Sequence, residues 1–218
     1  MIDKEYNKIL KQYHKLSDRH ILVVETDMPY PDVLKVVALS DKIRKAGNEL
    51  VRLMRKNYDQ LLRTKRYRKL LFLYGTTEDK SKRKILANQL NEMQKSYNVT
   101  WDYCRTSMIP IGKKYSIDAV FALTKAEDIW RGVEKCLYGN GNAIHFSKYG
   151  ELPCIRAKQK NRGIPVSVKD DKLQFKLGKT AFGIQVNDRF QQDEVNAVLT
   201  YLAEPEIVDH KAVNTLIE

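Results

Sequence analysis

The hydrophobic pattern changes from strand-like to helical near residue 30. Residues 20–27 are a compact run rich in β-branched side chains and bounded by prolines, which predicts a strand. From Asp32 to about Leu73, apolar residues recur at steps of three and four, which predicts one long helix with a single apolar face. Asp32 is its predicted N-cap, and Gly75 is expected to stop it.

The rest of the chain changes from helical to strand-like patterning after residue 138. Two further helices are predicted at about 80–108 and 116–138, with Pro110 ending the first of them. Short alternating segments then predict the strands of a β-meander or half a barrel, at 163–168, 173–177 and 182–186. Residues 193–204 predict a short helix.

This order predicts an α+β fold in which a small oligonucleotide-binding-like β-barrel is interrupted by an inserted α-helical domain. Residues 1–31 are expected to hold an N-terminal helix and the first barrel strand. Residues 32–140 form the predicted helical domain, and residues 141–218 the remaining barrel strands with the short helix.

Charge is concentrated in two blocks of the chain. The 218 residues include 39 Lys and Arg against 27 Asp and Glu, a net charge of +12. Residues 42–84 hold 15 basic and 4 acidic residues, residues 148–179 hold 9 and 3, and residues 191–218 hold 1 and 6. This excess favours a polyanionic partner, either nucleic acid or an anionic membrane surface.

The first basic block maps to one face of the predicted long helix. At 100° per residue, six of its side chains cluster opposite the apolar stripe: Lys45, Arg52, Arg55, Lys56, Arg63 and Arg66. The segment that follows adds Lys65, Arg68 and Lys69. A merely solvated face usually alternates charge to form pairs along the helix, but only Glu49 and Asp59 are acidic between residues 42 and 69. We therefore expect contacts to nucleic-acid phosphates.

The second basic block lies on predicted loops or strand edges. Its candidate phosphate contacts are Lys148, Arg156, Lys158, Lys160 and Arg162. Basic loops between barrel strands bind oligonucleotides, but lysines also protect edge strands from aggregation, and both interpretations stay open. The aromatic residues that could stack on bases are Tyr67, Tyr97 and Trp101. A core position is the stronger alternative for Trp101, and Trp130 is expected in the core.

No catalytic, metal or cofactor motif is found. The four histidines are scattered, and the three cysteines, Cys104, Cys136 and Cys154, are too widely spaced for a zinc knuckle. No apolar run approaches the roughly 20 residues of a membrane span. We expect a cytoplasmic protein with reduced thiols and no enzymatic activity on this chain.

One segment resembles a known family. Residues 128–164, DIWRGVEKCLYGNGNAIHFSKYGELPCIRAKQKNRGI, are similar to the region of TnpB, the transposon-encoded RNA-guided nuclease, and of type V CRISPR effectors where the helical recognition lobe joins the wedge barrel. The order of strand, basic helices and barrel strands also resembles the N-terminal half of these proteins.

The resemblance implies nucleic-acid partners, but the sequence also departs from the family pattern. It implies that the basic helix residues line a channel for a guide RNA–target DNA heteroduplex, and that residues 148–162 contact structured RNA. Gln185 stands where the nuclease half of the family would place a metal-binding Asp, and the zinc-ribbon cysteine pairs are missing. We therefore expect a nuclease-less relative, a fragment or one piece of a split protein. The alternatives are a protein-interaction module that regulates a nucleic-acid enzyme, or an enzyme completed by another chain.

Overall fold

The described residues combine helices with an antiparallel sheet, which confirms the α+β class. A computed structural model describes residues 25–139, 141–151, 154–157, 162–169, 172–177 and 180–186, together with 189, 192, 193, 195 and 196. The predicted N-terminal helix, most of the C-terminal segment, and the candidates Lys158 and Lys160 lie outside these residues.

The chain divides into two compact units, residues 29–157 and residues 1–28 with 158–218. The first is the helical unit, and the second contains the sheet. The helical unit extends to Ala157, beyond the predicted boundary at residue 140, because residues 144–149 pack on its first helix. Two hydrogen bonds of 2.9 Å between the Asn48 side chain and the Ser147 backbone fix this packing.

The sheet has the strand order β1-β4-β3-β2 and is antiparallel throughout. Its strands are β1 (Glu25–Asp27), β2 (Val166–Lys169), β3 (Lys172–Leu177) and β4 (Thr180–Gln185). The helices are thus inserted between two strands of one sheet, since β1 pairs with β4. The rings of Phe175 and Phe182 stack across β3 and β4, with centroids 5.9 Å apart. The described strands form an open sheet with β1 and β2 at its edges.

The predicted long helix is two helices, α1 (Tyr30–Arg63) and α2 (Lys65–Thr76). Pro29, rather than Asp32, is the N-cap of α1. Pro31 therefore lies in the first turn of the helix, where its missing N–H costs no helical hydrogen bond. Thr64 is extended, and its hydroxyl donates to the carbonyl of Gln60 at 3.2 Å while the Tyr97 hydroxyl lies within hydrogen-bonding distance of it at 3.0 Å. This local competition with helical geometry breaks the helix and redirects the chain.

The predicted helix at 80–108 is also two helices, α3 (Lys80–Ser96) and α4 (Trp101–Lys114). Asn98 adopts a left-handed φ of 57°, which Asn tolerates better than most residues, and Thr100 caps α4 by accepting from the Tyr103 amide. Pro110 lies inside α4 and does not end it. Buried Met108 and Ile111 hold this helix in the core, so tertiary packing outweighs the cost of the proline.

The predicted apolar face of α1 is confirmed. Its buried members are Ile43, Gly47, Leu50, Met54 and Leu61. They pack against α4 and α5 (Ala119–Leu137), where Met108 and Val133 are fully buried. The half-buried Tyr58 donates its hydroxyl to the Cys136 carbonyl at 3.1 Å, which ties α1 to the end of α5. Burial of this stripe leaves the opposite side of α1 to solvent.

Candidate nucleic-acid interface

The solvent-exposed sides of α1 and α2 carry nine cations, which we call together the basic surface. Its nine members are Lys45, Arg52, Arg55, Lys56, Arg63, Lys65, Arg66, Arg68 and Lys69. The helix periodicity predicted an exposed position for six of them, Lys65, Arg68 and Lys69 came from the basic segment that follows, and all nine are exposed. Arg44, by contrast, is buried and bonds to Asp41 at 2.7 Å.

Eight of the nine cations form no ion pair with any carboxylate of the described residues; Lys45 pairs with Asp41 at 2.8 Å. Some basic residues of the other helices pair instead with a carboxylate three or four positions away along the chain. These pairs are Lys82–Asp79, Lys95–Glu92, Arg105–Asp102 and Arg131–Glu127. Within the described residues, the other helices also carry unpaired cations, Lys80, Arg83 and Lys84 among them, so the basic surface is set apart by its larger number of unpaired cations.

Glu49 lies between Lys45 and Arg52 in the sequence of α1, but its carboxylate is bonded to the end of α4. Its carboxylate accepts from Lys114 at 2.7 Å and from the Tyr115 hydroxyl at 2.9 Å, both at the end of α4. These two hydrogen bonds, the Lys114 one foremost, hold the pKa of Glu49 below its ordinary value of 4.5. The carboxylate therefore stays ionised and faces α4 rather than Arg52.

A cleft of about 390 Å³, here called the basic cleft, opens at the centre of the basic surface. It is lined by Arg52, Arg55, Lys56, Asp59, Gln60, Arg63 and Phe146. The Arg55 guanidinium lies over the Phe146 ring, 5.2 Å from its centroid, so the cation is held on an apolar platform. With four cations and one carboxylate, the cleft suits an anionic group.

The segment 144–149 runs antiparallel to α1 and adds Lys148 to the basic surface. Phe146 lies against Arg55, Ser147 bonds to Asn48, and the Tyr149 ring lies 5.5 Å from the Arg44 guanidinium. The amide of Lys148 donates to the Glu151 carboxylate at 2.8 Å, which fixes the turn that follows. The exposed Lys148 side chain therefore projects from a backbone fixed to α1.

The other members of the second basic block do not join this surface. Arg156 forms an ion pair with Asp128 of α5 at 3.6 Å, so its charge is compensated within the helical unit. Arg162 is exposed but belongs to the sheet unit. Lys158 and Lys160 lie outside the described residues. The block is therefore divided between the two units.

The predicted stacking residues have three different environments. Tyr67 cannot stack on a base in this structure, because it is only 1% exposed and its hydroxyl accepts from Gln94. Tyr97 is half-buried, with its hydroxyl bonded to Thr64. Trp101 is half-buried and lines a separate cleft, where Trp130 also lies instead of in the core. Phe146 was missed, although it belongs to the IHF sequence of the segment that carries the family resemblance.

The described residues were also compared with the requirements of a reactive thiol, a metal site and a membrane span. Burial raises the pKa of the Cys104 thiol to about 12, which disfavours a reactive thiolate there. Across the part of the chain that the structure describes, no three His, Cys, Asp or Glu side chains are grouped so that they could hold a metal ion. None of the helices described is both long and apolar enough to cross a bilayer.

Comparison of this chain with models of known protein families, with curated proteins and with solved structures finds no match.

Proposed function

We propose that this chain binds RNA, or an RNA–DNA hybrid, along the basic surface and holds it without cleaving it. The observation that carries the proposal is the row of eight exposed cations without a carboxylate partner among the described residues. Lysine and arginine side chains of this kind release condensed counterions when they meet nucleic-acid phosphates, which drives binding.

The dimensions of the basic surface suit a polymer better than a small anion. Lys45 and Arg63 are separated by about 27 Å along α1 at a rise of 1.5 Å per residue. A nucleic-acid strand presents one phosphate about every 3.4 Å, so several successive phosphates fit along this helix. Contacts of this type position the nucleic acid without reading its sequence.

A membrane surface is the weaker alternative along this stretch of α1. Helices that lie in a membrane interface insert an apolar face beneath their basic residues. The apolar face opposite the basic surface, including Leu50 and Met54, is buried in the core of the helical unit. Nucleic acid needs no such face.

The proposal extends to the family resemblance. A chain related to the N-terminal half of TnpB would use the helical unit as its recognition lobe and the sheet as part of its wedge barrel. Its ligand would then be a structured guide RNA, or that RNA paired with target DNA, and a separate protein would supply the nuclease.

Charge reversal tests the location of binding. Arg55→Glu, Arg63→Glu and Arg66→Glu together should weaken binding of a structured RNA at least about a hundredfold at low salt, measured by fluorescence anisotropy. The matched control carries Lys82→Glu, Arg105→Glu and Arg131→Glu, three cations that are already paired. The control changes the net charge equally, and its RNA affinity should fall by less than about threefold. Equal losses, or no binding by the unaltered chain, would overturn the proposal.

Incubation of labelled RNA with the purified chain and Mg²⁺ tests the absence of cleavage. We expect intact RNA at all times at which binding is saturated. Metal-dependent cleavage that co-purifies with the chain would show an enzyme and contradict the binding-only role.

A regulatory protein-interaction module is the second candidate, and exposed apolar residues favour it. Phe72 of α2 is 69% exposed and Ile85 of α3 is 58% exposed. Size-exclusion chromatography with a TnpB-type nuclease, without nucleic acid, tests this candidate. A complex that Phe72→Asp disrupts would support it, whereas independent elution of the two proteins would exclude that partner.

A further inference from the structure

A second cleft of the helical unit, which we call the aromatic cleft, has a chemistry unlike that of the basic cleft. Its volume is about 490 Å³, and it lies where α3 turns into α4 beside the end of α5. Both tryptophans of the chain, Trp101 and Trp130, line it together with Tyr138. Such a concentration of large rings around one opening is unusual on a surface that is otherwise charged.

The turn between α3 and α4 creates this cleft. Asn98 reverses the chain with its left-handed φ, and Val99 is fully buried beneath the turn. Trp101 is the first residue of α4, so its ring stays half-buried at the helix end instead of packing between helices. Tyr138, which follows α5, is 66% exposed on the opposite wall.

The polar groups of the aromatic cleft are neutral as a set. Lys95 and Glu92 form an ion pair at 3.0 Å, so their charges cancel locally. The remaining polar lining includes the side-chain amides of Asn88, Asn91 and Gln94, each of which can donate and accept hydrogen bonds. Flat aromatic surfaces with neutral donors and acceptors suit an uncharged heterocycle better than a phosphate.

The aromatic cleft is fixed to the same helix that carries the basic surface. The buried Asn57 side chain donates to the Asn98 carbonyl at 3.4 Å, which anchors the α3–α4 turn to α1. Tyr58 anchors the other wall through its hydrogen bond to Cys136, two residues before Tyr138. Both anchors lie within the turns of α1 that hold Arg55 and Arg63, on the side facing the core. About one helix diameter, 10–12 Å, therefore separates this attachment from the basic surface.

We infer that the aromatic cleft binds one unpaired nucleobase of an RNA whose phosphates lie on the basic surface. This inference rests on the proposed RNA binding and adds to it a site for a base. The ring stacks on Trp101 or Tyr138, and the amides of α3 bond to its edge. A sugar could use similar rings, but a sugar site would have no reason to be fixed to a row of unpaired cations.

Intrinsic fluorescence gives a direct test, because the only two tryptophans of the chain line the cleft. A structured RNA hairpin with a short single-stranded extension should quench this fluorescence on binding. The same hairpin with a blunt end, or with abasic sites in the extension, should bind without that quenching. Equal quenching by all three RNAs would overturn the inference, as would quenching by neutral oligosaccharides at lower concentration than by RNA.

Substitution separates the two clefts. Tyr138→Ala should weaken binding of the extended hairpin about tenfold and leave the blunt hairpin unchanged, as expected for the loss of one stacked base. Trp101→Phe, which retains an aromatic ring, should lose less affinity for the extended hairpin than Tyr138→Ala. Because it is a conservative change, it also tests the cleft with little risk of misfolding. The control Tyr30→Ala removes an equally exposed ring at the start of α1 and should change neither affinity. If neither RNA binds the unaltered chain, the proposed function fails; if both bind without dependence on the extension, only the nucleobase site fails.

Discussion

The two sides of the helical unit differ in how many unpaired cations they present. On α1 and α2, eight exposed cations have no carboxylate partner among the described residues. On α3 to α5, five of the eleven basic residues, Lys95 and Arg131 among them, pair with an acid, and the cleft on that side is lined by rings and amides. The positions of the unpaired cations are therefore more informative than the net charge of +12.

Stability does not explain this difference. An exposed ion pair contributes about 0–1 kcal/mol, so a fold gains little by pairing one side and loses little by leaving the other unpaired. Clustered like charges instead raise the local electrostatic potential, which attracts an external polyanion. The basic surface is thus best explained by a ligand, whereas the lining of the aromatic cleft suits contact with neutral groups.

The largest expected effect is on the salt dependence of RNA binding. Neutralising Arg52, Arg55 and Arg63 with Gln should reduce the magnitude of the negative slope of log K against log salt concentration by about 2–3, at roughly 0.7–0.9 per lost phosphate contact. Anisotropy titrations between 50 and 200 mM salt measure it. The matched variant with Gln at Lys82, Arg105 and Arg131 should retain the slope of the unaltered chain. If the two variants lose equal slope, the distinction between the two sides fails.

Periodicity in the sequence predicted the elements better than their ends. The apolar stripe of α1 and the three C-terminal strands follow from local patterns, since repeated burial on one face leaves a repeated signal. The ends at Thr64 and Asn98 depend on single bonds to distant partners, Tyr97 and Asn57. The predicted helix end at Pro110 was wrong for the converse reason. Tertiary packing of Met108 and Ile111 outweighs the local tendency of proline to end a helix.

The candidate site was predictable as a surface but not as clefts. A row of cations at helical spacing is a local property of α1, and it was found from the sequence. The position of Phe146 depends on the bond between Asn48 and Ser147, which are 99 positions apart. Trp130 looked like a core residue from its apolar neighbours, and only the arrangement of three helices brings it beside Trp101.

An intermediate effect is expected at the joint between α1 and segment 144–149. Asn48→Ala removes both side-chain hydrogen bonds to Ser147 and should lower the free energy of unfolding by about 1–2 kcal/mol in urea titrations. RNA affinity should fall a few-fold as well, because Phe146 and Lys148 lose their fixed position on the basic surface. Gln89→Ala, on the exposed side of α3, is the control and should change neither quantity. Lowered stability with unchanged RNA affinity would separate Lys148 from the interface.

The smallest expected effect concerns Glu49, the acid that faces α4 instead of the cations. Because folding depresses its pKa, its stabilising contribution is present above the unfolded value near 4.5 and is lost as the pH falls through the lower folded value. Glu49→Gln should therefore lower the melting temperature by about 2 °C or less at pH 7, a difference that shrinks as the pH falls below the unfolded value near 4.5.

Asp59→Asn supplies the matched comparison, since Asp59 lines the basic cleft and forms no ion pair with the described cations. We expect this substitution to leave the melting temperature unchanged and to tighten RNA binding at low salt about twofold, because it removes a repulsive charge from among the phosphate contacts. The two carboxylates would then have separate effects, one on stability and one on binding. Equal tightening of RNA binding by Glu49→Gln and Asp59→Asn would contradict this expectation. It would mean that the ion pair with Lys114 does not keep the Glu49 charge away from the bound RNA.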